Sequence, residues 1–490
     1  MKKYFSVLAA MALCSGSMLV SCTDDIQIGS LDESQYENVK ELKGAVRDAM
    51  SGKTSTIVDL RRSDYSTSVE FRLARAPKKG VDVTITYDAE YLETYNKEHG
   101  TSFELYPADK IQLQHDGKLV MAPDDKASYS LDLVIPALDT VNFKADQTYL
   151  LPLKAEVKAD GISISKSESH CVYLVRNLAG EGLAERKAGE KETFFFFEVN
   201  DTNPLNALQW KMEDGRYLVN YLVLFAANIN YDREKGEVYI YTNPQVTYIL
   251  AHNEEIIQPL RKHGIKVILG LLGNHDESGL AQLSEIGARD FAQKIAAMCY
   301  AYNLDGVNFD DEYSNSPDLS NPLFTRASTV AGARLMFETK KAMPDKYVTT
   351  FQYGYMGGED YVDGIEAGAW LDIAVANYGS KGYPKAGMTK ANCSGQSTEM
   401  ARYGAIAVST AQDVANSEYG YYMVFAPWAA NNQGSTTQFG YLSNLSQGLY
   451  GCRLVEPEIY YPSSKSLEYK PYKRLRRISK SYIVALFALL

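Results

Sequence analysis

Residues 304–314 read "LDGVNFDDEYS", in which Asp310, Asp311 and Glu312 closely follow Asn308 in an apolar run. In an extended strand alternate side chains take opposite faces, about 6.6 Å apart along one face. Asn308, Asp310 and Glu312 then share one face, and Val307, Phe309 and Asp311 the other. Two carboxyl groups so placed, in a site partly shut from water, need not both ionise. One can keep its proton and act as a general acid. Protonating the leaving oxygen of a glycosidic bond needs such an acid. Asn308 is expected to offer its NH₂ to Asp310 and so favour that group's ionised form. Asp311 is expected to point away and serve structure.

A pair of this kind needs strand ends to hold it. Apolar β-rich runs occur at 193–200, 220–230, 265–274, 304–312, 347–355, 371–379, 403–410 and 420–428. Helical stretches such as "PQVTYILAHNEEIIQPLRKHG" and "GARDFAQKIAAMCYAYN" separate the earlier ones. Near-continuous apolar strands between helices indicate a parallel sheet covered on both faces. Eight of them match an α/β fold of the (β/α)8 TIM barrel type, whose C-terminal strand ends face the active site. A doubly wound open sheet is the alternative, but it would want a GxGxxG turn after an early strand, and the chain has none.

The preceding half has another rhythm. "SVEFRLAR", "VDVTITYD", "SYSLDLVIP" and "TYLLPLKAEV" are short alternating runs broken by turn residues, the pattern of an antiparallel β-sandwich. The helical "AEYLETYNKEHG" interrupts them. The expected division is a signal peptide at 1–21, a tether at 22–50, the sandwich at 51–176 and a linker at 177–192. The barrel follows at 193–455 and a C-terminal extension at 456–490. "MKKYFSVLAAMALCSGSMLVSC" is a secretory signal. Its end, Leu19-Val20-Ser21-Cys22, resembles a bacterial lipobox, which implies lipidation at Cys22 and an outer-membrane anchor. "TDD" after it favours the cell exterior over a periplasm-facing position. After Cys22 four cysteines remain, Cys171, Cys299, Cys393 and Cys452, which are far apart and read as buried small hydrophobes or at most one disulfide. No metal and no cofactor is expected. A formal net charge of -11 argues against nucleic acid as a partner.

"LDGVNFDDEY" looks like the DGxDxDxE signature of glycoside hydrolase family 18, with Asn308 replacing its first motif aspartate. "FFEVND…LN", "FAANINYD" and "KVILGLLGNH" resemble the endoglycosidase H/F type of endo-β-N-acetylglucosaminidase within that family. The resemblance covers roughly 190–455. It implies substrate-assisted retaining hydrolysis of the GlcNAc-β1,4-GlcNAc bond in the core of N-linked glycans, leaving one GlcNAc on the protein. Glu312 would be acid and then base. Asp310 would hold the acetamido N–H of the substrate, whose own carbonyl oxygen is the nucleophile. Tyr378 would bond that carbonyl, with Asn377 beside it. The family lies outside the two-carboxylate rule for glycosidases.

Further expected substrate contacts are Asn308, Asn228, Tyr231, Asn274, Tyr353, Tyr313 and Trp428. For Asn228 and Tyr231 rim packing is the competing reading, for Asn274 and His275 helix capping, and for Tyr353, Tyr355 and Trp428 ordinary packing. The expected partners are N-linked glycans on glycoproteins, the membrane through Cys22 alone, and other surface glycan-binding lipoproteins. A chitinase-like hydrolase, or a catalytically impaired glycan-binding protein on the same barrel, is the alternative function.

Overall fold

The computed structural model describes residues 42–473 except 62, 146, 166–167, 179–188, 403, 430–432 and 464–469. The expected signal peptide, Cys22, most of the tether and linker, and the tail beyond Lys473 lie outside the described residues.

Side-chain alternation organises the barrel. In its first strand, Glu192–Glu198, Phe194 and Phe196 enter the barrel interior with Tyr221, Val223, Ile268, Tyr347 and Met423. Phe195 and Phe197 face the other way and pack on Trp210. Seven parallel strands follow: Tyr221–Asp232, Lys266–Leu272, Gly306–Asp310, Tyr347–Gln352, Ile373–Ala376, Ser394–Glu399 and Tyr421–Phe425. Neighbours pair from the first to the sixth, and the eighth lies between the first and the seventh. A bridge from Ala374 to Cys393, and Ala376 N donating to Ser394 Oγ at 2.9 Å, close the ring. The fold is the barrel preceded by a sandwich that the sequence predicts.

Two details differ from expectation. The seventh strand is not at 403–410: it is Ser394–Glu399, and Val408–Ala415 is an α-helix. Ser394 and Ser397 are buried with their hydroxyls 3.3 Å apart. Hydrogen bonding, not apolar surface, holds this strand, so a hydrophobic pattern misses it. The helical ring is also incomplete among the described residues. Helices follow the third strand (Glu285–Ala301, capped by Ser284) and the fourth (Thr329–Ala342, capped by Ser328). A two-stranded ribbon, Tyr361–Val362 with Ile365–Glu366, and a 3₁₀ turn follow the fifth, and only a 3₁₀ turn, Lys390–Asn392, follows the sixth.

The sandwich begins earlier than expected. Leu42–Asp48, within the expected tether, is a strand paired with Tyr65–Leu73. Its "LKGAVRD" carries too few large apolar side chains to read as a strand. A second sheet orders Ser55–Leu60, His170–Asn177, Gln147–Val157, Val81–Tyr87 and Lys118–Met121.

That second sheet is the floor of the barrel. Ile57 packs against the interior cluster that includes Tyr221, Tyr347 and Tyr421. Arg176 donates to Asp59 at 2.5 and 2.9 Å and to Asp305 at 3.0 Å, and Arg261 reaches Asp305 from the barrel side at 3.1 Å. Asp305 is the residue before the fourth strand and also accepts from Val267 N at 2.8 Å. Burial works against its charge, yet Arg261 and Arg176 hold its carboxyl well below the usual range. Asp372, before the sixth strand, is clamped likewise between Lys53 of the sandwich and Lys340, each at 2.9 Å. Groups this buried are tolerable only when paired and hydrogen-bonded.

Candidate active site

The fourth strand ends at Asp310, and Glu312 stands in the turn beyond, its N–H bonded to Asp310 O at 3.2 Å. Val307 and Phe309 join the outer core, while Asn308 and Asp310 are buried on the opposite, inner face. The backbone of the third strand's end presses on this turn. A Cβ on Gly273 would lie 2.1 Å from Glu312 O and 2.6 Å from Ser314 Oγ. Asn228 Nδ2 donates to Gly273 O at 3.0 Å and fixes that close approach from the second strand. Asn228 therefore positions the site from behind.

Burial and neighbouring carboxylates raise both carboxyl groups. Burial first, then the neighbouring Glu312 and Asp311, push the Asp310 carboxyl up to about 8. Burial also raises Glu312, against a hydrogen bond from the Tyr313 hydroxyl. Asn308 does not behave as expected. Its NH₂ goes to Thr349 Oγ1 at 2.9 Å and not to Asp310, so the amide does not favour the ionised form. Packing at the base of the strand sets this: Thr349 is itself tied to Val307 O and leaves its oxygen open to Asn308.

A cleft of about 470 Å³ opens over the pair. Asp310, Glu312, Tyr313, Tyr353, Asn377 and Tyr378 all line it. Tyr378 lies two residues past the sixth strand with its N–H on Asn377 Oδ1 at 2.7 Å. Burial, then Asp310, Glu399 and Glu312, raise its phenol, so the hydroxyl stays a donor. The cleft also holds Glu198 and Arg402, which sequence reasoning missed. Glu198 could have been found, since it continues the inward face of Phe194 and Phe196. Arg402 could not, because its strand was misplaced.

Other expected contacts lie elsewhere. Trp428 is fully buried against Trp210, ring centres 5.4 Å apart, with its indole N–H on Ser435 O. It is a packing residue behind the eighth strand, not a sugar platform. Tyr231 meets Phe324 edge to face, and its hydroxyl accepts from Asn321 at 2.7 Å. Asn274 donates to Asn230 Oδ1 at 2.9 Å within the rim, outside the cleft lining. His275 and Tyr313 both have φ above 50° and their rings lie 5.4 Å apart at the mouth. Asp311 accepts from Tyr355 N at 3.2 Å and acts on the pair only through its charge. The cysteines Cys171, Cys299, Cys393 and Cys452 are free.

A parallel barrel with two raised carboxyl groups at and just beyond the end of one strand, opening into a cleft rimmed by tyrosines, defines a glycoside hydrolase. Endo-β-N-acetylglucosaminidase F1 of Elizabethkingia meningoseptica is 40% identical over 272 residues, 54% of this chain and 79% of its own. The crystal structure of Bacteroides thetaiotamicron EndoBT-3987 with Man5GlcNAc product is 45% identical. It matches 87% of this chain and 99% of its own at a TM-score of 0.79. The same enzyme in complex with Man9GlcNAc2Asn substrate matches at 43% identity and a TM-score of 0.73, over 87% and 98%. A family model described only as an N-terminal domain matches residues 40–162. The chain belongs to the endo-β-N-acetylglucosaminidases.

Proposed function

We propose that this protein hydrolyses the GlcNAc-β1,4-GlcNAc bond in the core of N-linked glycans, high-mannose glycans among them, and leaves one GlcNAc on the polypeptide. The observation that carries the reading is the buried Asp310, its carboxyl raised by burial and by the charge of Glu312, under a cleft that also holds Glu312 and Tyr378. Before substrate binds, the more deeply buried Asp310 keeps its proton. An entering acetamido N–H needs an acceptor at Asp310, and the glycosidic oxygen needs a donor at Glu312. Substrate therefore draws the proton to Glu312, where it serves the leaving group. Tyr378 holds the acetamide carbonyl in line with the anomeric carbon, and ionised Asp310 offsets the charge of the cyclised intermediate. Glu312 then takes a proton from water.

The test is incubation with defined N-glycoproteins and mass spectrometry of both products. Glycan ending in one GlcNAc and protein retaining one GlcNAc are expected. Release of the intact glycan, or hydrolysis of chitin alone, would overturn the reading.

We also propose that Cys22 carries lipid and tethers the enzyme to the outer membrane, facing outward beside other glycan-binding lipoproteins. The lipobox-like Leu19-Val20-Ser21-Cys22 supports this. Metabolic labelling with a fatty acid, lost in Cys22→Ala, and protease treatment of whole cells test anchor and orientation.

A further inference from the structure

We propose that Glu198 and Arg402 form the subsite for the sugar that precedes the cleaved GlcNAc on its non-reducing side, and so select the glycan. The inference rests on the hydrolase reading above. The barrel mouth has two halves. Asp310 and Glu312 follow the fourth strand. In the ring order, the first and seventh strands each lie three strands from the fourth, in opposite directions, with the eighth between them. With neighbouring strands about 4.8 Å apart, that places Glu198, Phe425 and Arg402 on the wall facing the carboxyl pair. All three line the same cleft. Glu312, which protonates the leaving oxygen, meets the sugar on the reducing side. The opposite wall then meets the substrate on its non-reducing side.

Their chemistry suits an uncharged pyranose. Glu198 Oε1 accepts from Asn200 Nδ2 at 2.8 Å, and Asn200 Oδ1 accepts in turn from Asn243 Nδ2 at 3.2 Å, so the carboxylate is held in place by a relay between two loops. A carboxylate fixed in this way accepts from hydroxyl groups of a sugar. Arg402 is 77% exposed and lies 3.9 Å from Glu399, so its fork of donors extends over the rim. Phe425, at the end of the strand between them, offers a ring to the apolar face of the sugar. One acceptor, one donor and one ring describe a hexose bearing several hydroxyls.

The experiment measures Kd for Man5GlcNAc in the Glu312→Gln background, with and without Glu198→Gln or Arg402→Ala. Gln at 198 keeps an acceptor for Asn200, and Arg402 is exposed, so neither change threatens the fold. In the active background, kcat/KM is measured on a mannose-bearing glycopeptide and on a chitobiose glycoside. Each variant should weaken Kd about tenfold and lower the ratio of glycopeptide to chitobioside kcat/KM by a similar factor, chiefly through KM. An unchanged Kd, or equal losses on both substrates, would overturn the assignment. A Glu312→Gln protein that binds no glycan would instead count against the hydrolase reading itself.

Discussion

Asn308 Nδ2 donates to Thr349 Oγ1 at 2.9 Å, and Thr349 Oγ1 donates onward to Val307 O at 2.9 Å. This chain fixes which way the amide faces. It leaves Asn308 Oδ1 buried without a hydrogen-bond partner, as is Asp310 Oδ1 on the same inner face. A protonated Asp310 supplies the donor that two such acceptors lack. Restoring a carboxyl in Asn308→Asp adds a third member to the coupled set, whose charge would hold the proton on Asp310 more tightly. The variant should remain active with the alkaline limb of kcat/KM moved to higher pH. Superimposable profiles on one glycopeptide would show that residue 308 does not set the site's electrostatics.

The raised Asp310 has a consequence for stability. The unfolded chain releases this proton near 3.8 and the folded one only near 8. Between those values the folded state binds more protons, so stability falls as pH rises. Asp310→Asn removes the penalty while abolishing turnover. Its Tm should exceed that of the wild type at pH 7, with the gap closing as pH approaches 4. Equal Tm values at pH 7 would mean that Asp310 ionises freely.

Glu312→Gln keeps the shape of the acid without its proton. Loss of general acid–base help corresponds to about 10²–10⁴-fold in kcat. Binding of Man5GlcNAc should survive. Turnover near that of the wild type would remove Glu312 from the mechanism.

Gly273→Ala tests the close contact behind the acid. The new methyl would meet the Glu312 carbonyl oxygen at 2.1 Å, so the turn must move. A displacement of about 1 Å in a reacting group can cost 10²-fold. The expected result is a fall in kcat with both domains still folded by circular dichroism, and activity within twofold of wild type would contradict it.

Arg176→Ala leaves Asp59 and Asp305 facing one another across the domain boundary. Removing one member of a buried ion cluster costs about 3–5 kcal/mol. Chemical denaturation should show that loss in a single transition covering both domains. Two separate transitions, or a shift under about 1 kcal/mol, would mean that the floor is not energetically joined to the barrel.

The strand-four signature was legible because alternation sorts Asn308 and Asp310 from Val307 and Phe309, whereas Glu312 stands in the turn beyond the strand, where alternation no longer applies. The tyrosines just past strand ends, Tyr353 and Tyr378, followed from counting the strands before them. What escaped has a common physical cause. The seventh strand and Leu42–Asp48 are held by hydrogen bonds and ladder pairing more than by large apolar side chains. Without the seventh strand, Arg402 had no place in the cleft. Trp428 misled because an aromatic at a strand's end reads the same whether it faces the mouth or the layer behind. Nothing in the sequence marks Asp305, and only the fold reveals it at the opposite end of the strand, bound to another domain.

The barrel's base is made from chain that is synthesised first. Residues 42–178 leave the ribosome before Glu192–Glu198, so Ile57, Asp59 and Arg176 are in place when the ring begins to assemble. The sandwich is then a template as well as a neighbour. A circular permutant that moves it behind the barrel would keep every contact of the finished protein. It would nonetheless have to hold Tyr221, Tyr347 and Tyr421 uncovered until the last strand emerged. Such a chain should reach the same structure in lower yield, lost to aggregation on the way.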